Sequence, residues 1–549
     1  MKMRITHKRV LLLAVALTLL STAAFATGQE EAAAVEEGPV ALTAVVTYGA
    51  VAENAEQDDT YYMNYIEHEF NIVWDLTTIP NSAAQERMNI LFAAGDMPDV
   101  FPGDAISHIY TDAIRTGQLL PLEDRIENGT GWVNHPQWDD LKPVMTHTDG
   151  HIYTFPSGVS NMLARNSGGR YYLNQKWLNE VGHDVPQTLD ELTEGFRAIK
   201  DAMPDKTVIS GHWETSRVTD YFILAHGMNA SGAMGTYLGN QINIVDGEVV
   251  FTVQHPNFQD YLEYTNTLWE EGLIDEEYFS QQKAQLRAKG SDQGFALASD
   301  DAFPLIFGNN EGIYDYVFTP PLLSDYNEEL WWPEHTIYSI PHGAIPTASR
   351  HPDKAFEILD WMATPDAVFL YDAQVPERLY IPELVPEGLE RDNVVAQPVD
   401  GEEYFNRGNS LEGMGAWAYM NTYMTNRSSA FPMILNRGAD WWTEEFGLRP
   451  ILKENLNQYL GWSVDKVVLP YFEHVVTDRD LKFLPEEQEV IDTYAGELAD
   501  FIDEQHAKFI IGARPVSEYT DFLGELERYR LDEIQEVYQA AYERYLQVQ

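Results

Sequence analysis

Residues 84–101, which read AQERMNILFAAGDMPDVF, carry the helix–turn–strand pattern that decides the fold class. Ser82 and Gln85 have the spacing of a capping box, so we predict that a helix begins here. Gly95 predicts the end of that helix, because glycine tolerates the left-handed conformation found at helix C-termini. The apolar pair Val100–Phe101 then predicts a short strand.

The residues before this stretch show the same alternation of strand and helix signals. Residues 41–47, ALTAVVT, form a short apolar and β-branched run that predicts a buried strand. Apolar side chains at helical spacing between residues 62 and 70 predict a helix, and residues 71–79 return to strand composition. The resulting β-α-β-α-β order implies a parallel sheet covered by helices, so the predicted fold class is α/β.

A second α/β region follows in the middle of the chain. Thr188 and Glu191 make another capping box, and apolar residues repeat at helical spacing from Leu189 to Met203. The same spacing recurs over residues 258–269 and again over residues 531–545. A chain of 549 residues is too long for one hydrophobic core, which predicts two or more lobes.

The first 26 residues have the pattern of a cleaved secretory signal. Positive residues precede an apolar run over residues 10–20, and Ala24-Phe25-Ala26 is the small-x-small pattern that signal peptidase recognises. The apolar run is shorter than the ~20 residues that a membrane-spanning helix needs. We therefore expect a signal peptide over residues 1–26, a flexible acidic leader over residues 27–38, and a periplasmic location.

The chain is strongly acidic and has no cysteine. Its 87 Asp and Glu residues against 35 Lys and Arg residues give a formal net charge of −52. Phosphate backbones would repel such a chain, so we do not expect a nucleic-acid partner. We interpret the dispersed acids as a surface adapted to a salty or alkaline exterior, where salt screens their repulsion. Without cysteine there are neither disulfides nor thiolate metal sites.

The sequence lacks the motifs of common enzyme classes. It has no Gly-x-Ser-x-Gly elbow, no P-loop and no His-Glu-x-x-His, so we predict neither catalytic residues nor a cofactor. Some of the many acids will lie about 5–9 Å apart by chance, which is the range glycosidases use. A secreted polysaccharide-degrading enzyme with aromatic subsites therefore stays an alternative. His147, Asp149 and His151 could chelate a metal, but turn chemistry favours a hairpin, and no metal site is predicted.

The candidate ligand-binding residues are mainly aromatic and lie in Gly-, Pro- and Asn-rich segments, outside the periodic apolar faces. Sugar rings pack their C–H surfaces on aromatic rings, while their hydroxyls need polar partners. The alternative is that these rings seal small cores under loops. Tyr48 is included because ligands of open α/β sheets bind beyond the carboxyl ends of the strands. The predicted ligand-binding residues are Tyr48, Trp213, Trp332, Glu412, Trp417, Tyr419, Arg437, Trp441 and Trp442.

Four segments in order resemble those of one protein family. Residues 84–101 are similar to its helix that ends in a small-Gly-Asp-x-Pro-Asp turn, and residues 172–202 (beginning YLNQKWLNEVGHDVP) to its Pro-x-Thr element. Residues 344–367 (AIPTASRHPDKAFEILDWMATPDA) resemble its helix that returns to the N-terminal lobe, and residues 508–545 resemble its C-terminal ending. The chain thus resembles bacterial extracellular solute-binding proteins of ABC importers, in particular the LplA-like, carbohydrate-type branch.

This resemblance implies a bilobed periplasmic-binding-protein fold of type II, with two α/β lobes joined by hinge strands and a ligand held between them. Crossovers between the lobes are expected near Thr154–Pro156, near Ile337–His342 and around Tyr404–Gly413. The expected boundaries are residues 39–155 plus 340–405 for the N-terminal lobe, and residues 156–339 plus 406–549 for the C-terminal lobe with its terminal helices.

Two departures narrow what the resemblance implies. Family members are commonly lipid-anchored through a cysteine, which this sequence lacks, so a freely diffusing periplasmic form is implied. Some members carry an EF-hand-like calcium loop after the Pro-x-Thr helix. Met203–Val208 lies at that place and lacks the alternating oxygen ligands, so no calcium is predicted there.

The function implied by the resemblance is capture of a carbohydrate, most specifically an oligosaccharide. The expected partners are this ligand and the transmembrane permease subunits of an ABC importer, and the expected state is a monomer. A sensor subunit that presents its ligand to a membrane receptor is a further alternative that the sequence does not separate from transport.

Overall fold

The computed structural model describes residues 38–48, 59–135, 138–157, 171–214, 217–230, 238, 241–300, 315–334, 339–364, 366–367, 370, 375–395 and 467–547. The strands of this part are β1 (Val40–Tyr48), β2 (Ile72–Pro80), β3 (Thr154–Ser157), β4 (Tyr171–Asn174), β5 (Ile209–Ser210), β6 (Ile242–Val245), β7 (Glu248–Phe251), β8 (Leu297–Ser299), β9 (Tyr316–Phe318), β10 (Trp332–Glu334), β11 (Ser339–Ala344) and β12 (Phe472–His474).

The α-helices of the same part are α1 (Tyr61–Phe70), α2 (Ala84–Ala94), α3 (Tyr110–Arg115), α4 (Glu123–Glu127), α5 (Trp138–Met145), α6 (Gln175–Glu180), α7 (Leu189–Ala202), α8 (Asp220–Ala225), α9 (Phe258–Glu270), α10 (Lys283–Gln293), α11 (Pro352–Trp361), α12 (Arg391–Val394), α13 (Pro485–Ile510), α14 (Tyr519–Leu526) and α15 (Leu531–Leu546).

The N-terminal lobe is built on the parallel strands β1 and β2, which pair from Val40 with Ile72 to Tyr48 with Pro80. The predicted strand, helix, strand order is therefore confirmed for this part. The third predicted strand is reduced to Val100 and Phe101, which bridge to β1 and β11 respectively. It stops there because Pro102 has no N–H to continue a ladder.

The helix predicted from residue 82 forms, but not through the predicted capping box. A 3₁₀ turn over Asn81–Ala83 precedes α2, and no side chain caps the helix. The Gln85 amide instead donates to the carbonyl of His108 at 3.0 Å. At the other end Gly95 terminates α2 with a φ of 68°, as predicted.

The C-terminal lobe contains a mixed four-stranded sheet in the order β5-β8-β4-β9. Strands β5 and β8 are parallel, whereas β4 runs antiparallel to β8 and β9. Helix α7 belongs to the same lobe and packs into its core through the buried Leu192, Phe196 and Ile199. The predicted cap at its start is confirmed, because the Thr188 hydroxyl accepts from the N–H of Glu191 at 3.2 Å.

Helices α13, α14 and α15 complete the core of the C-terminal lobe. Leu531, Ile534 and Tyr538 are the buried residues of α15 that the spacing predicted, and Tyr538 packs edge-on against Phe251 of β7. The largest cluster of buried apolar residues in the described part unites these helices with the sheet. Among the described residues, no helix combines the length and the apolar character that a membrane span requires.

Strands β3 and β11 pair antiparallel beside the N-terminal core, with Phe155 opposite His342 and Thr154 opposite Ala344. These strands lie in the segments predicted as the first and second crossovers. Phe155 belongs to a core cluster of the N-terminal lobe, whereas Tyr171 after it belongs to the core of the C-terminal lobe. The third expected crossover, around Tyr404–Gly413, lies outside the described residues, and the lobe boundaries stay predictions.

Candidate functional site

Strand β11 lies beside the carboxyl edge of the N-terminal sheet, and strand β4 begins at the carboxyl edge of the C-terminal sheet. In the N-terminal lobe the N–H of Gly343 in β11 donates to the carbonyl of Gly103 at 3.1 Å, just beyond the Val100–Phe101 bridge. In the C-terminal lobe the first residue of β4, Tyr171, pairs with Ser299, the last residue of β8. Carboxyl edges are where open α/β sheets bind ligands, so the candidate site is built from these two edges.

Tyr48 is the last residue of β1 and is half-buried at the carboxyl edge of the N-terminal sheet. Its neighbour Thr47 donates its hydroxyl to Asp104 at 2.6 Å. The edge therefore combines a partly exposed phenol ring with a fixed carboxyl group. The position of Tyr48 is the one that the strand-end rule predicts, and its contact with a ligand stays a prediction.

Asp104 is a residue of this edge that the sequence analysis did not select. Desolvation raises the pKa of its carboxyl, while the Thr47 hydrogen bond and the nearby His108 act in the opposite direction. The sequence did contain a signal for Asp104, because it lies three residues after the predicted strand Val100–Phe101. Residues just beyond the carboxyl end of a strand are candidates for ligand contact, as for Tyr48.

The carboxyl edge of the C-terminal sheet is formed by the ends of the parallel strands β5 and β8. Asp300 directly follows β8 and is fully buried. Its carboxylate accepts two hydrogen bonds from the guanidinium of Arg287, at 2.9 and 3.0 Å. Bidentate pairs of this kind fix both side chains in one orientation.

Trp213 follows β5, and its side chain lies in the core, which is the alternative that the sequence left open for these rings. Its side chain is buried among Tyr278, Phe279 and His506. The guanidinium carbon of Arg217 lies 4.0 Å from the centroid of the indole ring and covers it. The indole N–H donates to Asp503 of α13 at 3.1 Å, so the ring is held on several sides.

Asp503 and Arg217 also form an ion pair, which links α13 to the segment after β5. Desolvation raises the pKa of Asp503, and the Arg217 charge opposes that rise. Burial lowers the pKa of His506 well below its usual range, with Arg217 acting in the same direction. The surroundings of Trp213 thus form a buried polar network that joins the sheet edge to the C-terminal helices.

Trp332 also lies in the core, in agreement with the same alternative. It is only 1% exposed. Its ring lies 6.2 Å from Tyr171, 6.1 Å from Tyr221 and 5.7 Å from Phe318, measured between centroids. The ring fills the core beside the sheet, because strand β10 directs it inward. Ligand contact of Trp213 and Trp332 is a prediction that their burial does not favour.

The other six predicted ligand-binding residues lie outside the described part of the chain. They are Glu412, Trp417, Tyr419, Arg437, Trp441 and Trp442. Their contacts with a ligand therefore stay predictions.

The segment from His147 to His151 is a hairpin turn, as turn chemistry favoured. The N–H of His147 donates to the carbonyl of His151 at 2.7 Å, and Gly150 has a φ of 89°. Asp149 accepts from the N–H of His151 at 3.0 Å. Within the residues that the structure describes, no group of three or more His, Asp or Glu side chains is arranged to hold a metal ion.

Comparison with known protein families identifies relatives of the sequence. The family model described as bacterial extracellular solute-binding protein matches residues 52–369. The fructooligosaccharide ABC transporter substrate-binding protein FusA of Streptococcus pneumoniae is 27% identical over 273 residues, which is 47% of this chain and 49% of that protein. The polygalacturonan/rhamnogalacturonan-binding protein YtcQ of Bacillus subtilis is 23% identical over 280 residues, 50% of this chain and 54% of that protein. The matches thus span about half the length of these relatives.

Solved structures share the fold over nearly the whole chain. FusA of S. pneumoniae in complex with kestose superposes with a TM-score of 0.69 at 18% identity, covering 93% of this chain and 100% of that one. An extracellular solute-binding protein from Bifidobacterium longum subsp. infantis superposes with a TM-score of 0.71 at 16% identity. The superposition covers 93% of this chain and 99% of that one. These likenesses confirm the bilobed α/β architecture of periplasmic binding proteins.

Proposed function

This chain belongs to the bacterial extracellular solute-binding protein family, and on that premise we propose that it captures an oligosaccharide between its two lobes and delivers it to an ABC importer. The pairing of β3 with β11 is the structural observation that supports this proposal. Two lobes joined by paired strands can rotate about them, which is the hinge motion that binding proteins use. A ligand that contacts both lobes stabilises the closed form, because it interacts less well with the open one.

Carbohydrate is the proposed ligand class because of the names of the relatives and the composition of the candidate site. FusA and YtcQ are both named for saccharides that they bind. Tyr48 lies half-buried at the carboxyl edge of β1, where its ring could stack on a sugar. The proposed site further includes the six predicted residues between 412 and 442 as sources of aromatic faces and polar groups.

The remaining parts of the proposal concern partners and location. The permease transmembrane subunits of an ABC importer are the proposed protein partner, and the protein is proposed to act as a periplasmic monomer. It is proposed not to carry a lipid, because the sequence has no cysteine to accept one. Binding without catalysis is proposed because the matched family is one of solute-binding proteins.

The proposal is tested by measuring ligand binding and lobe closure on the purified protein. A panel of oligosaccharides is screened by thermal shift, and hits are measured by calorimetry. A ligand that binds only the folded state stabilises it by about 2.7 kcal/mol at 100 times Kd, and the melting temperature rises accordingly. X-ray scattering should then show a smaller radius of gyration with ligand. New reducing ends released from the glycans would instead indicate the polysaccharide-degrading enzyme.

Tyr48 gives the site-specific test. Tyr48→Ala should weaken binding of a hit about 2–10-fold, since a stacking ring contributes about 0.5–1.5 kcal/mol. Tyr494→Ala, which removes a half-buried ring from α13 in the C-terminal lobe, is the matched control and should leave the Kd unchanged. Equal effects of both substitutions would remove Tyr48 from the proposed site.

A further inference from the structure

The charges at the carboxyl edge of the C-terminal sheet bear on which saccharides the cleft accepts. Arg287 lies beside the end of β8, and its guanidinium makes a bidentate pair with Asp300, which is fully buried. The cation is thus already matched by a carboxylate within the protein. A ligand carboxylate would have to compete with Asp300 for the same donors.

Lys289 is likewise paired with acidic side chains, beside the end of β5. Its ammonium lies 2.6 Å from Asp275 and 2.7 Å from Glu277. Asp275 is in turn attached to the strand end, because the hydroxyl of Ser210 donates to it at 2.7 Å. One ammonium here faces two carboxylates, so the local balance is negative.

Arg217 is the third cation of this edge, and it is also paired. Its guanidinium stacks on Trp213 and forms the ion pair with Asp503, and the residue is only 4% exposed. On the opposite lobe the carboxyl edge of β1 presents Asp104 beside Thr47. Among the described residues of the two edges, each of these three cations has an acidic partner.

A saccharide that carries carboxylates needs cations that the protein has not already neutralised. Moving a carboxylate from water into a closed cleft is costly unless it is paired and hydrogen-bonded. The net charge of −52 adds long-range repulsion of an anionic ligand. Hydroxyl groups have no such requirement, because they bind to carboxylates and to fixed guanidinium groups alike.

We propose that the ligand is a neutral oligosaccharide and that oligosaccharides of uronic acids are rejected. This inference rests on the proposed function and adds a substrate class to it. The ion pairs Arg287–Asp300, Lys289–Asp275 and Arg217–Asp503 carry it, because they leave these three cations neutralised before any ligand arrives.

The test compares two panels of matched length by thermal shift and calorimetry. The neutral panel contains fructo-, xylo-, gluco-, manno- and galacto-oligosaccharides, and the charged panel contains oligogalacturonates and oligoalginates. Binding confined to the neutral panel supports the inference. A uronic-acid oligosaccharide that binds as tightly as the best neutral one overturns it while leaving the proposed function intact. Failure of both panels would overturn the proposed function and this inference with it.

Salt dependence gives a second readout on the same hit. For a neutral ligand the Kd should change by less than about twofold between 50 mM and 500 mM NaCl, since no charge pair forms across the interface. A Kd that weakens about tenfold or more over this range would show ligand charge pairing with protein cations and would contradict the inference.

Discussion

The ammonium of Lys482, in the C-terminal lobe, donates a hydrogen bond to the carbonyl of Thr146, in the N-terminal lobe, at 2.5 Å. It also donates to the carbonyl of Pro143, so it binds the C-terminal end of helix α5. Helix C-termini carry unpaired carbonyls and a partial negative charge, both of which favour a cation. Lys482 itself is anchored, because its carbonyl accepts from Arg544 at 2.9 Å and the neighbouring Leu481 is buried. This side chain therefore joins the two lobes.

Lys482→Met should loosen the angle between the lobes. The substitution keeps the aliphatic length but removes both hydrogen bonds, so the lobes should sample a wider range of orientations. The absence of native cysteine allows spin labels at Ile90→Cys in the N-terminal lobe and Ile244→Cys in the C-terminal lobe, where both side chains are exposed. Pulsed electron paramagnetic resonance should show a broader interlobe distance distribution in Lys482→Met than in the labelled parent.

The matched control for this prediction is Lys508→Met. Lys508 pairs with Glu504 four residues earlier on α13, within one lobe, at 2.6 Å. Its loss should leave the distance distribution unchanged, and Lys482→Arg should retain the parental one. Identical distributions for Lys482→Met and the labelled parent would show that the contact does not restrain the lobes. The Kd of a bound ligand should also differ by about fivefold or more between Lys482→Met and the parent. Fivefold is the lower end of the usual coupling between a conformational change and binding.

Trp332→Ala should destabilise the protein because the ring is a core side chain. Removal of a buried tryptophan leaves a cavity and costs about 3–5 kcal/mol of the free energy of unfolding. Chemical denaturation of this variant beside Ile90→Ala measures the difference, because Ile90 is 53% exposed and its loss should cost less than about 0.5 kcal/mol. A Trp332→Ala protein with parental stability would return this ring to the list of ligand-facing candidates.

Local patterns predicted most of the fold. The start of α7 follows from the Thr188 hydroxyl, and the end of α2 follows from the positive φ of Gly95, because both signals act over one turn. The crossover segments at β3 and β11 came from the family resemblance rather than from spacing. The capping box at Ser82 failed because a 3₁₀ turn moves the N-cap by one residue, from Ser82 to Ala83.

The candidate site was less predictable for the same physical reason. Trp213 and Trp332 have Gly- and Pro-rich neighbours, which made them candidates for ligand contact, yet both rings are buried. Their direction depends on partners distant in sequence, such as Asp503, which lies 290 residues after Trp213. Tyr48 could be placed because a strand end is a local feature with a general consequence.

Asp99→Asn should reduce stability in a pH-dependent manner. Desolvation would raise the pKa of Asp99, but hydrogen bonds from Arg350 and Thr43 outweigh it and hold the pKa well below its usual range. A lowered pKa means that the stabilisation is present above the unfolded value of about 3.9 and is lost as the pH falls through the folded one. The free energy of unfolding of Asp99→Asn should be about 2 kcal/mol lower than that of the parent at pH 7. This difference should shrink progressively below pH 4.

Denaturation curves of the parent and of Asp99→Asn from pH 7 down to pH 3 measure how the difference in their stability shrinks. Asp112→Asn is the control, because Asp112 pairs with Arg115 on the surface, where both side chains are more than half exposed. It should change stability much less at every pH. A gap between the parent and Asp99→Asn that stays constant as the pH falls would mean that the contacts of Asp99 do not depend on its charge.

Stability should not depend on calcium at the turn after α7. The ammonium of Lys206 donates to the carbonyl of Gln293 at 3.0 Å and lies 5.7 Å from the ring centroid of Trp177. A tethered cation thus occupies this turn. Calcium or a chelator should move the parental melting temperature by less than about 1 °C, because only ligands of the folded state raise it. Lys206→Met should lower stability by about 0.5–1 kcal/mol, and a calcium-dependent rise in the parent would contradict the expectation.

Added salt should raise the melting temperature of this protein. With 87 acidic against 35 basic residues, like charges repel across the surface of the folded chain. The screening length falls from about 30 Å at 0.01 M ionic strength to about 3 Å at 1 M, which removes most of this repulsion. The melting temperature should therefore climb with NaCl at pH 7, and the climb should shrink near the isoelectric point, where protonation has already removed the charge. A rise of equal size at both pH values would point to salt acting on apolar burial instead, and a flat response at pH 7 would refute the interpretation of the acidic surface as an adaptation to salt.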